Sequence, residues 1–500
     1  MPRLVAGALL AALAMAAATV ADRGPLSAQP LDLGIENSWI RIQNVGTLPS
    51  TIEIQFHDED GSEVAVDRCP REGVCSTLRP GSGRSFFQQG LEQLPLGYRG
   101  SAYITADQPF VTLLARDAFK DGLFQIAGDT LRLAHGGTTL YAPIVQNTER
   151  YVSRLSIENT SSERDACIEI RYYEQLVTLP AVVDPPGPTP GCANGGHRVA
   201  PRGSLVRDEH SLPVELGFDG SAVVVALPAG DDPAGSVAGT AMMVDTRERE
   251  GPGLASYRAI DAEELSRQVV LPLVDRNASE GQSTWSTRFR ILAGSPDVPT
   301  QVTVLFEGID EAGDRFEIEQ ELGVQAALTC DLRFPGAGGC LPGEVTLPDV
   351  FRGTVRIQAL DPIAVVAQRL SEGGPLADYR GFTVEEASRH VLLPVLNKNF
   401  GPFGESRGWN SWFRVLTFDG SDATLRTFYY SRQFPNGLIS ASLYVQRERS
   451  FRQWEDPRLP DGWVGSGLVV ADRPVVVVVN LESDVFTGDP VMLYSGVSLE

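Results

Sequence analysis

Residues 459–480 read LPDGWVGSGLVVADRPVVVVVN. A glycine cluster (Gly462, Gly465, Gly467) runs into an apolar stretch, and its role decides what kind of protein to expect. A phosphate-binding loop needs backbone amides converging at a helix N-terminus and, in its Walker form, a Lys-Ser/Thr pair. Here valines follow and no lysine is present. Ser466 stands in Gly-Ser-Gly rather than in the Gly-x-Ser-x-Gly nucleophile elbow. The remaining reading is a turn entering a β-strand.

That reading gains weight because the stretch is one of four. LPLGYRGSAYITADQPFVTLLAR begins at Leu94, LPVELGFDGSAVVVALPAGDDPAG at Leu212 and LPDVFRGTVRIQALDPIAVVAQR at Leu347. Each carries Leu-Pro, an aromatic (Tyr98, Phe218, Phe351, Trp463), a glycine two residues on (Gly100, Gly220, Gly353, Gly465), then Ser or Thr. The counterparts of Ser466 are Ser101, Ser221 and Thr354. An activated serine needs a base within reach, but His57, His135, His197, His210 and His390 occupy unrelated places in different copies. No catalytic residue is expected, and the chain is read as not an enzyme.

Upstream of each copy stand SWIRIQN (Ser38), YVSRLSIEN (Tyr151), TWSTRFRIL (Thr284) and GWNSWFRVL (Gly408). They are followed by TIEIQF (Thr51), CIEIRYY (Cys167), QVTVLF (Gln301) and TLRTFYY (Thr424). Apolar and polar residues alternate in them, the period of half-buried strands. The joints GPGLASYRAIDAEELSRQVVLPLV (Gly251) and GGPLADYRGFTVEEASRHVLLPVL (Gly373) match closely. Asp261 with Glu264, and Thr383 with Glu386, have capping-box spacing and predict a short helical turn before each new first strand. Asp107-Gln-Pro, Asp361-Pro and Asp472-Arg-Pro predict turns joining the two strands of a terminal hairpin.

Pro143, Pro272 and Pro394 mark equivalent points. Their separation is far longer than the roughly 20–50 residues of solenoid repeats and suits a β-sandwich of about 100 residues with insertions. The expected fold is all-β: a signal peptide over 1–28, then four tandem immunoglobulin-like β-sandwich domains over 29–138, 139–258, 259–380 and 381–500, arranged as beads on a string. Arg3 and the uncharged run from Leu4 to Ala21, which ends in small residues before Asp22, carry the leader reading, with retention as an N-terminal anchor as the rival. No later segment has the length of a membrane span.

Six cysteines fall two per copy in the first three copies: Cys69 and Cys75, Cys167 and Cys192, Cys330 and Cys340. In an exported chain the within-copy pairing is expected, with metal binding as the rival reading. No metal or cofactor is expected. HDEDGSE (His57–Glu63) and IDEAGD (Ile309–Asp314) offer oxygens suited to calcium, but neither has the EF-hand spacing, and hairpin tips are expected there. The net charge of −22 repels a polyanion, so nucleic acid is excluded as a partner.

The run SWIRIQNVGTLPSTIEIQFHDEDGSEV from Ser38, with Asn44 and Gly46 between strands and the hairpin Asp60-Gly61, resembles the front half of immunoglobulin-like repeats of bacterial surface proteins. These include the cell adhesion related domain and fibronectin type III-like modules. The resemblance implies an extracellular or cell-surface adhesive, spacer or assembly role, with other surface proteins, copies of the same chain or polysaccharide as partners. The alternative is a secreted carbohydrate-binding protein using the aromatics of the fourth copy, Trp409, Trp412 and Trp454 above all. Strand alternation places Trp409 and Trp412 on opposite faces, which predicts exposure of one of them.

Overall fold

A computed structural model describes residues 36–499 apart from 73–74, 121, 132–135, 231–236, 281–282, 343–344, 373 and 402–407. The expected leader and His135 lie outside the described residues. The alternating segments form the expected strands. The first set becomes Glu36–Asn44, Tyr151–Asn159, Ser283–Ala293 and Trp409–Thr417, the second Ile52–Asp58, Ala166–Tyr173, Thr300–Asp310 and Ala423–Tyr430. Every second residue is turned inward: Ile52, Ile54 and Phe56 are buried, as are Val302, Val304 and Phe306. Helix among the described residues is confined to single 3-10 turns, two of them the predicted joints Ala262–Glu264 and Val384–Glu386. In both the glutamate reaches back to the cap amide, from Asp261 at 3.1 Å and Thr383 at 3.0 Å.

The glycine motif opens a long strand in each of the last two repeats, Phe351–Ser371 and Trp463–Ser483. This differs from the terminal hairpin expected at the Asp/Pro corners, because the two halves of the strand never pair with each other. Residues before the corner pair with the repeat's opening strand, Ser266–Arg276 or Ser388–Lys398, and those after it with Ser283–Ala293 or Trp409–Thr417. Proline has no N–H to give a ladder, so Pro362 and Pro474 mark the point where the strand leaves one set of ladder partners for another. In the first repeat the same step takes Gly100–Ala106 in a three-stranded sheet to Phe110–Lys120 in a five-stranded one. The corner aspartates tie down the second strands: Asp107 accepts from the Thr51 amide, Asp361 from the Thr300 hydroxyl and Asp472 from the Thr424 amide.

The repeats are not beads on a string. The first packs on the fourth, the fourth on the third, the third on the second and the second on the first, closing a ring. Trp39, Phe119 and Phe124 share one core with Trp409, Phe413 and Tyr494, although they lie at opposite ends of the chain. Gly488–Asp489 joins the edge of the first repeat's sheet as a parallel partner of Leu123–Leu131. Trp412, Val476 and Val478 of the fourth repeat enter the core of the third, and Leu292, Ala364 and Val366 of the third enter that of the second. Around the centre the closing strands of the repeats, Leu123–Leu131, Leu254–Arg258, Leu376–Arg380 and Val491–Ser495, contact one another in cyclic order.

Candidate functional site

The four glycines have one physical cause. A Cβ at Gly100, Gly220, Gly353 or Gly465 would collide with a backbone carbonyl of the facing second strand, that of His57, Tyr173, Glu307 or Tyr430 respectively. Only glycine allows that approach. In the fourth copy the Trp463 ring lies across the same gap and packs edge-on against Tyr429 at 5.7 Å. Ser466 is fully buried and its hydroxyl donates to Gly81 O of the first repeat at 2.8 Å. Ser101 donates to Arg202 O and Ser221 to Pro143 O, both at 2.7 Å. Ser466 and Ser221 thus bond carbonyl oxygens, whereas Ser101 also hydrogen-bonds the Glu158 carboxyl.

The strongest repeated chemistry lies between repeats. The ladder of each opening strand shifts register around its proline, Pro143, Pro272 or Pro394, and the proline carbonyl serves the neighbouring repeat. Arg414 Nε donates to Pro272 O at 2.6 Å, and Arg41 Nε to Pro394 O at 3.0 Å. Arg290 takes the same position on the second repeat, with Nη1 donating to Gly220 O and reaching Pro143 O at 3.5 Å. All three arginines are buried. Burial pushes the Arg41 guanidinium down to about 10, still charged at neutral pH. Arg290 is neutralised by Asp219 at 2.7 Å. Burial raises that carboxyl, but Arg290 and Arg288 outweigh it and hold Asp219 at about 2.

At the centre, buried carboxylates gather amides from several repeats. Asp489 of the fourth repeat accepts from the Leu254 amide of the second at 2.8 Å and the Leu376 amide of the third at 3.0 Å. Asp129 of the first accepts from Arg258 N at 3.1 Å and Ser495 N at 3.3 Å. Burial pushes the Asp489 carboxyl well above the ordinary range against these hydrogen bonds. Nearby, burial raises Asp378 to about 7.

The junction of the first and second repeats differs from the other three. It holds a groove of about 420 Å³, walled by Ile40, Phe56, Ile104, Leu114 and Ile157. A charged cluster lies at its rim: Arg154 bonds Glu36 at 2.9 Å and Asp245 at 2.8 Å, Arg116 also pairs with Asp245, and Arg247 with Glu36. Burial raises Asp245, but Arg116 and Arg154 outweigh it and hold the carboxyl at about 2. Half-buried Glu158 on the wall is pushed up to about 7 by burial, against a hydrogen bond from Ser101. The groove therefore sets apolar walls beside a rim of arginines and acids, with Glu158 as its raised carboxyl.

The cysteines pair within repeats as expected: Cys69 with Cys75, Cys167 with Cys192 and Cys330 with Cys340. The expectation of an exposed tryptophan does not hold, since Trp409 and Trp412 are only 1% and 3% exposed. Trp409 lies 5.6 Å from both Phe124 and Phe486, at the seam between the first and fourth repeats. Trp412 lies in the third repeat's core, with Arg352 6.0 Å over its ring. The alternation rule assumes one face meets solvent, and here neighbouring repeats cover both. Trp454 is half-buried beneath Arg452. The two acidic tips are hairpins, with Asp58 Oδ1 accepting from Ser62 N and Asp310 Oδ1 from Asp314 N, both at 2.8 Å. Sequence reading missed the arginine–proline contacts, although Arg41, Arg290 and Arg414 recur visibly in the first strands.

No family model matches the chain, and no curated protein matches it. Among solved structures, a tetra-tandem repeat in the extending region of a large adhesion protein is similar at 11% identity and a TM-score of 0.09, covering 92% of this chain and 94% of that one. An infectious bursal disease virus Gt strain structure aligns at 10% identity and a TM-score of 0.10, over 95% of this chain and 87% of that one. Superpositions this loose carry no argument about fold or function.

Proposed function

We propose that this is an exported, non-enzymatic structural or adhesive protein of four β-sandwich domains, acting at or beyond the cell surface as a rigid closed platform. One observation carries the reading: the recurrent burial of an arginine of one repeat on a proline carbonyl of the next. Contacts of this kind give each repeat a fixed place relative to its neighbours. The chain then presents its outward hairpins and loops in a constant arrangement, a property suited to multivalent contact. Three disulfides favour an oxidising compartment. The buried Ser221 and Ser466 hydroxyls donate to carbonyls, which supports a scaffold role for the repeated motif.

Fractionation of cells producing the native chain, with a parallel screen of hydrolase substrates, tests this reading. The expected result is protein in the envelope or extracellular fraction and no turnover. Protein confined to the cytoplasm, or turnover abolished by a single side-chain substitution, contradicts it.

A further inference from the structure

In the second, third and fourth repeats an opening strand, Thr139–Asn147, Ser266–Arg276 or Ser388–Lys398, pairs with the strand that begins at the glycine motif. The first repeat has no such partner among the described residues. Its strand Gly100–Ala106 pairs on one side only, with Ile52–Asp58. Its other side opens onto the groove, where Gly100, Ser101, Ala102 and Ile104 form the wall. The cavity therefore lies where the other repeats carry a strand.

Glu36, Asn37 and Ser38 line the rim of that groove. Immediately before them stand Gln29-Pro30-Leu31-Asp32-Leu33-Gly34-Ile35. Pro30 followed by Leu31 repeats Pro143-Ile144, Pro272-Leu273 and Pro394-Val395. A second signature agrees. In each later repeat a hydroxyl accepts from the amide three residues after the proline: Ser153 from Gln146 at 2.9 Å, Thr287 from Asp275 at 2.9 Å and Ser411 from Asn397 at 2.8 Å. By register Ser38 is the counterpart of these hydroxyls, standing three residues before Arg41 as Thr287 and Ser411 stand before Arg290 and Arg414. Three residues after Pro30, the sequence position that matches those amides is Leu33.

We infer that residues 29–35 of the same chain are the occupant of this groove and complete the first repeat as its opening strand. Three features commit the occupant to this segment rather than to a foreign peptide: the proline in register, the hydroxyl at Ser38 and the direct continuity at Glu36. The Pro30 carbonyl then faces the second repeat, whose counterpart of the locking arginine is Ser156, itself on the groove wall. At this junction the inserted strand takes the place of the arginine lock, and closure of the ring depends on the first residues that follow the expected leader.

Superposing LPLGYRGSAYITADQP (94–109) on LPDGWVGSGLVVADRP (459–474) sets the test. Gly467 pairs with Leu393, the residue before Pro394, so Ala102 faces Gln29. In the full chain carrying Gln29→Cys and Ala102→Cys, peptide mapping without reductant is expected to find those two cysteines linked within one molecule. A link between two molecules overturns the proposal in favour of strand donation by a second copy, and two free, alkylatable thiols overturn it outright. Hydrogen exchange gives an independent readout. Starting the chain at Glu36 is expected to speed exchange across residues 100–106 at least tenfold while residues 463–471 stay protected; equal exchange across 100–106 in both chains overturns the proposal. If the shortened chain does not fold, the cysteine pair alone decides.

Discussion

Arg414 Nε lies 2.6 Å from the carbonyl oxygen of Pro272, on a different repeat. The Arg414 charge is paired inside its own repeat, with Glu448 at 2.8 Å, which leaves Nε to serve the Pro272 carbonyl turned out of its own ladder. Replacing Arg414 by Met keeps the volume but leaves the Pro272 carbonyl without its donor and Glu448 without its cation. The expected loss is about 3–5 kcal/mol in denaturant unfolding. Exposed Arg449 replaced by Met is the control and is expected to stay within about 0.5 kcal/mol of the parent. Equal effects at the two positions contradict the lock.

Gly465→Ala tests the close approach. The added methyl meets Tyr430 O and the Trp463 ring, neither of which can withdraw without moving a strand. A loss of about 3 kcal/mol is expected. At Gly462, where φ is +76° and nothing lies near a Cβ, the same change costs about 1 kcal/mol through backbone strain alone. Calorimetric melting of the two variants separates collision from strain.

Stability against pH follows from two groups of carboxyls shifted in opposite directions. Asp219 and Asp245 are held at about 2 by their arginines against burial. Their stabilisation is complete above the unfolded value near 4 and is lost as pH falls toward 2. Glu158 and Asp378 are raised to about 7 by burial. Folding favours their protonated forms, so their contribution is complete below about 4 and is lost as pH rises through 7. Melting temperature is therefore expected to peak near pH 4–5 and decline on both sides. In Glu158→Gln the alkaline decline is shallower; an unchanged slope contradicts the assignment.

The disulfides differ in the chain they enclose, with separations of 6, 10 and 25 residues. Loop-closure entropy gives about 2, about 3 and about 3.5 kcal/mol respectively. Paired Cys→Ser replacement is expected to rank Cys167/Cys192 as the most costly, and unfolding of the three variants checks that order.

Much of the fold was legible from the sequence because it is local. Alternation placed the first and second strands, the capping boxes marked the joints, and four copies of the glycine motif exposed a common close approach. The Asp361-Pro362 corner was misjudged because proline signals both a hairpin and a change of ladder partners within one strand, and only the pairing distinguishes them. The expected exposure of one of Trp409 and Trp412 failed for a different reason. Trp409 is buried against Phe124, more than two hundred residues away in sequence, and no periodicity within one repeat reports what another repeat covers. The arginine locks share that property: both letters recur in the sequence, but their meeting across repeats exists only in the closed ring.

The rigid platform depends on the ring being closed in solution, which small-angle X-ray scattering of the chain measures. A closed ring predicts a radius of gyration close to the roughly 23 Å of a compact chain of this length, with a single-peaked distance distribution. A value near about 40 Å with an extended tail, as four domains in a line would give, contradicts it.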